Sequence, residues 1–145
     1  MRATEVAVRF AERINAHDVE GMIALMTPDH LFVDSSGKRF RRPAIEDGWR
    51  SYFQMVPDYW VRIEDAISKG KTAVLVGVAG GTFVPKGGVG RQENRWKTPA
   101  VWIARIEGTR VAEWRIYADN EPVRRVARRT RGATGARARS SRQAE

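Results

Sequence analysis

The stretch HLFVDSSGKRF, residues 30–40, runs apolar through Leu31, Phe32 and Val33 and then stops on a carboxylate, Asp34. Read as a short strand over 30–34, its side chains alternate. His30, Phe32 and Asp34 then share one face, and Leu31 and Val33 the other. If the first face borders an apolar cavity, lost hydration raises the pKa of Asp34 and makes it a better proton acceptor near neutral pH. Turn chemistry offers a second reading, in which Asp34 accepts hydrogen bonds from backbone amides of the Ser35, Ser36, Gly37 turn. The expectation taken forward is the first. Asp34 is a general acid or base at the base of a cavity, with His30 nearer the rim and ~13 Å along the strand, too far for direct contact.

Other chemistries find less material. The chain has no cysteine, hence no thiol nucleophile and no thiolate metal site. Its second histidine, His17, falls in a turn between helices, where it is expected to be exposed. No third ligand converges on either histidine, so no metal is expected, and no cofactor. The glycine-rich GGTFVPKGGVG, residues 80–90, joins two strands and does not open a helix. It is read as a flexible rim and not as a phosphate loop. Five tryptophans in 145 residues are many. Trp49, Trp102 and Trp114, with Phe10, Phe32 and Phe53, are the expected lining for a flat or cyclic ligand, although tryptophan also fills a wide core.

Several elements must position these residues. Val6, Phe10 and Ile14 recur every four residues and predict a helix over 3–16. Asp18 can cap a second helix that buries Val19, Met22, Ile23 and Met26 and stops at Pro28. A third helix starts near Pro43, carries Ile45, Trp49, Phe53 and Val56 on one stripe, and ends at Pro57. Beyond it, WVRIEDAI, TAVLVGVAGGTFV, RWKTPAVWIARI and RVAEWRIYA read as a four-stranded antiparallel meander. The expected class is α+β, with three N-terminal helices on one face of an antiparallel sheet.

The net charge of +9 is unevenly spread. Residues 124–145 hold eight arginines and one glutamate, whereas the rest of the chain holds 18 basic and 16 acidic side chains. Past Val126 no large apolar residue remains. The expected organisation is one domain over 1–126 and a disordered Arg-rich tail over 127–145. The tail lacks aromatic residues to stack on bases, so it is read as solvated, with at most a weak nucleic-acid contact. The N-terminus does not read as a signal peptide and no apolar run approaches the ~20 residues of a membrane helix. A cytoplasmic protein is expected, with no membrane partner.

INAHDVEGMIALMTPDHLFVDSSG, with Asn15, Ala16, Asp18, Asp34 and Gly37, resembles the opening of the nuclear transport factor 2-like superfamily. EGTRVAEWRIYADNEPV is similar to the last hairpin of its SnoaL-like branch. The resemblance implies a curved sheet wrapped by helices into a cone around an apolar cavity, often paired through the sheet. It also implies that Asp34 matches the proton-moving base of the ketosteroid isomerases. Other features of the relatives do not carry over. Phe10 stands where those isomerases place a tyrosine donor, and Val101 where they place a protonated aspartate. Ile116 stands where the limonene epoxide hydrolases hold a water-activating aspartate. Both activities are therefore set aside, because an oxyanion donor contributes several kcal/mol.

Two functions remain from the sequence. One is an isomerase, cyclase or dehydratase using Asp34 on an apolar cyclic substrate. The other is a non-catalytic protein binding such a molecule. Apolar residues on both faces of the strands, Val74, Val76 and Val78 against Ala73, Leu75 and Ala79, predict a homodimer through the sheet.

Overall fold

The computed structural model describes residues 2–86, 88 and 91–134. Helix α1 (Ala3–Asn15) buries Val6, Ala7, Phe10, Ala11 and Ile14, one stripe at helical spacing. Helix α2 (Val19–Ala24) is a short turn capped by Asp18, whose carboxylate accepts the Gly21 N–H at 2.9 Å. Helix α3 (Ala44–Met55) buries Ile45 fully and turns Trp49, Tyr52 and Phe53 to the core, half-buried.

The sheet has six strands: β1 (Met26–Val33), β2 (Arg39–Arg41), β3 (Trp60–Lys69), β4 (Thr72–Thr82), β5 (Arg95–Glu107) and β6 (Arg110–Ala118). Their order is β2-β1-β6-β5-β4-β3. β3 to β6 form the expected antiparallel meander. The sheet is nevertheless mixed, because β1 runs parallel to β6, with Phe32 beside Trp114. β1 also starts earlier than expected. It takes Pro28 into an irregular stretch between Met26 and Leu31, which α2, ending at Ala24, leaves free. The loop after Asp34 contributes the three-residue edge strand β2.

α1 packs on the inner face of β3 to β6. That face is built by Ala73, Leu75 and Ala79 of β4, by Trp96, Ala100, Trp102 and Ala104 of β5, and by Trp114 of β6. Two strand glycines allow close approaches, one within the sheet and one to the end of α3. A Cβ at Gly77 would lie 1.8 Å from the carbonyl oxygen of Arg62, beside the irregularity in β3. A Cβ at Gly81 would lie 2.3 Å from Val56, at the end of α3. These positions weaken the strand as β formers but permit close backbone approach.

The chain continues past the expected domain boundary. Helix α4 (Glu121–Thr134) buries Val126 and Ala127, with Val126 in the main core and Val123 packed against it. Residues 127–134 are thus helical where the sequence suggested a disordered tail. Single small apolar residues suffice because the core supplies the rest of the surface. Residues 135–145 of that tail, and 87, 89 and 90 of the glycine-rich stretch read as a rim, lie outside the described residues. Among the described residues no helix is long and apolar enough to cross a membrane.

Candidate functional site

Asp34 ends β1 in a turn. Its Oδ1 accepts three hydrogen bonds, from Ser36 N at 2.9 Å, Ser36 Oγ at 2.6 Å and Lys38 N at 3.0 Å. Asp34 N donates to Lys38 O at 3.0 Å, and Gly37, at φ 88°, donates to Asp34 O. The next residue, Ser35, accepts from the Asn120 side chain just before α4. The expectation of Asp34 at the base of an apolar cavity is corrected. Ser36 and the Lys38 amide hold its carboxylate in a solvent-facing turn that Gly37 closes through the Asp34 main-chain oxygen, the chemistry that Asp brings to turns generally.

His30 is also displaced from its expected place. It is not near the rim but fully buried, at 0% exposure, stacked on Phe10 with ring centroids 6.0 Å apart. It does share the inner face with Phe32, as alternation predicts, but at His30 that face is closed core under Phe10 and not a rim. His30 Nδ1 lies 2.7 Å from Val111 O. A carbonyl only accepts, so Nδ1 carries the proton and Nε2 the lone pair. Nε2 is buried and has no hydrogen-bond partner among the described residues. Burial is the largest influence on the ring and holds its pKa below the ordinary histidine value, partly opposed by the bond to Val111.

The aromatic residues divide into two tiers. Phe10, Trp102 and Trp114 are 0–1% exposed and form the floor, with Phe10 and Trp114 centroids 4.7 Å apart. The inner-face assignment of both tryptophans agrees with the pairing, in which Trp102 opposes Leu75 and Trp114 opposes Ala104. Phe32, Trp49 and Phe53 form a second, half-buried tier. Trp49 bridges Phe32 at 5.7 Å and Phe53 at 5.5 Å. Phe53 leads on to Tyr59, and Tyr59 to Tyr52 and Trp96. Burial raises the pKa values of both Tyr52 and Tyr59, so their hydroxyls stay protonated.

Two concavities lie elsewhere on the described residues. One is an open groove of about 410 Å³ lined by Thr4, Glu5, Val8, Arg9, Glu12 and Ala66. The other is a small hollow near Gly70 and Gly108. The expected lining residues pack on one another instead. Phe10 sits wholly inside the core, Val101 lies on the opposite face beside Val76 and Tyr117, and Ile116 pairs with Trp102.

His17 and Asn15 show what the opening motif does. His17 is half-buried and not exposed as expected. It stacks on Phe53 at 4.1 Å and 8°, with Nε2 2.7 Å from Tyr59 O. Asn15 donates to Val61 O at 2.9 Å and accepts from Val61 N at 2.8 Å, pairing with β3 as another strand would. Asp18 caps α2. The motif therefore fastens the first helix to the sheet and holds no ligand-facing group. Its signal in the sequence was the short polar run Asn-Ala-His-Asp between two apolar stripes, which fits capping as well as chemistry.

Comparison with known proteins agrees with this architecture. A SnoaL-like polyketide cyclase candidate from Shewanella putrefaciens CN-32 superposes with a TM-score of 0.73 at 20% identity, covering 86% of this chain and 84% of its own. IdmH, a candidate polyketide cyclase from Streptomyces antibioticus, gives 0.72 at 19% identity over 87% and 98%. A Catenulispora acidiphila protein with a ketosteroid isomerase-like fold, solved with trimethylamine, gives 0.70 at 19% over 82% and 88%. A search of curated protein sequences gives no match. The SnoaL-like domain profile matches residues 7–114, from α1 to the tryptophan of the last strand, and the chain belongs to that family.

Proposed function

We propose that this SnoaL-like chain admits a flat, largely apolar cyclic molecule by parting the half-buried tier of α3 from the sheet, where the side chains otherwise pack on one another, and moves a proton on it, with His30 Nε2 as the acceptor. The observation that carries this reading is the buried Nε2, unprotonated and without a partner among the described residues, on a ring stacked on Phe10. A buried acceptor left unsatisfied costs about 1–3 kcal/mol, which a ligand hydroxyl or an acidic C–H would recover in part. The substrate class is a cyclic ketone or enone with an acidic C–H beside the carbonyl. The proton passes to Nε2 and the electron pair moves to the carbonyl oxygen; the imidazolium then returns the proton to another carbon in an isomerisation, or, in an aldol-type ring closure, to the alkoxide oxygen formed when the enolate carbon attacks a second carbonyl. Tyr52 and Tyr59, kept protonated, are the candidate donors to the oxyanion. Asp34, bonded into its turn, is the competing base suggested by the resemblance.

Deuterium exchange at the carbon beside the carbonyl, followed by NMR for a panel of cyclic ketones in D₂O, distinguishes the two. Wild type and Asp34→Asn should exchange within about threefold of each other, and His30→Asn should lose at least ~100-fold. Loss in Asp34→Asn with exchange retained in His30→Asn would return the role to Asp34. Quenching of tryptophan fluorescence by the panel with no exchange in any variant would favour the binding-protein reading. The absence of a donor at Phe10 already speaks for that second reading.

A further inference from the structure

Helix α4 presents two chemically opposite sides. Val123, Val126 and Ala127 face the core, while Arg124, Arg125, Arg128 and Arg129 are exposed. Glu121 pairs with Arg124 at 3.9 Å and with Arg128, so it offsets one of the four charges. Arg129 donates to Glu93 O on the single 3-10 turn Gln92–Asn94, which fixes the helix against the domain.

We infer that this face is a docking surface for the phosphate backbone of nucleic acid, bound without base selectivity. Arg124 to Arg129 rise ~7.5 Å along the helix axis. Four guanidinium groups over that length, three net of Glu121, face a polymer carrying one negative charge per ~1.7 Å, and neutralising such a polymer releases its condensed counterions. A membrane surface is the poorer partner. An interfacial helix must offer an apolar side to the acyl boundary, and here that side is already buried in the domain. No aromatic residue stands among the four arginines, so bases are not read by stacking.

The test is fluorescence anisotropy of a short labelled DNA duplex with the full chain, across a series of salt concentrations. Binding should weaken log-linearly with salt. Arg124→Gln/Arg125→Gln should flatten the slope by about 2, since each phosphate contact contributes about 0.9. Arg124→Lys/Arg125→Lys should restore it. Neither pair is buried, and both variants should keep the wild-type melting temperature. An unchanged slope in the folded Gln variant would overturn the proposal. So would equal affinity for polyglutamate, or for phosphatidylserine vesicles at the same salt.

Discussion

His30 Nδ1 lies 2.7 Å from the main-chain oxygen of Val111, 81 residues away, and this bond sets what the ring's other nitrogen can do. Fixing the proton on Nδ1 leaves Nε2 as a lone pair inside an aromatic core. A protonated ring would need a second acceptor at that nitrogen, and none is present among the described residues.

A pH dependence of stability follows. Burial lowers the pKa of His30 in the folded protein, whereas the unfolded ring titrates near ~6.5. Between the two values the unfolded chain holds more protons, so unfolding becomes easier as pH falls. Stability from this group should be fully present above pH ~7 and lost progressively below ~6.5, with a slope of at most ~1.4 kcal/mol per pH unit. Urea melts from pH 8 to 5 check it. His30→Gln should remove this component, and an identical slope in the variant would contradict the assignment.

The two hydrogen bonds between Asn15 and Val61 join α1 to β3 across 46 residues. Asn15→Ala leaves a strand N–H and C=O without their partner and should cost about 1–3 kcal/mol in chemical denaturation. The Val61 amide should lose hydrogen-exchange protection before its neighbours do.

The outer face of the sheet carries aligned apolar rows. Val76, Val101 and Tyr117 lie side by side on β4, β5 and β6, as do Ile67, Val74 and Ile103 on β3, β4 and β5. Ile67 is 56% exposed and Tyr117 50%. Such a face is expected to pair with a second copy. Light scattering at micromolar concentration should give a dimer, and Val76→Asp should shift it toward monomer. A monomeric wild type would refute the pairing.

Val126 is 5% exposed within the main core. Val126→Ala should therefore destabilise by about 1–2 kcal/mol, from two lost methyl groups. A melting curve unchanged by this substitution would show that α4 contributes nothing to the core.

Much of the fold was legible because it is written in periodicity. The four-residue spacing of Val6, Phe10 and Ile14 places α1, and alternation along the long strands separates the two faces of the sheet without saying which one Trp102 and Trp114 share with the core. α4 escaped notice because its apolar side is only Val123, Val126 and Ala127, set among arginines. It is helical through docking on a core that its own sequence does not display. The site was less legible for a related reason. Alternation puts His30 and Phe32 on one face, but does not reveal that Phe10 of α1 closes that face over His30, nor that Ser36 and the Lys38 amide take up the Asp34 carboxylate. Both effects depend on contacts distant in sequence or on local hydrogen bonds that a chemical motif and a turn motif share.

The protonation of the His30 ring tests the central claim most directly. Long-range ¹⁵N–¹H correlation on imidazole-labelled protein at neutral pH reads which nitrogen bears the proton. The expected result is a neutral ring with the proton on Nδ1, and an Nε2 resonance that shifts when a cyclic ketone or phenol binds. A proton on Nε2, a charged ring at neutral pH, or an Nε2 resonance unmoved by a ligand that quenches the tryptophans would contradict it.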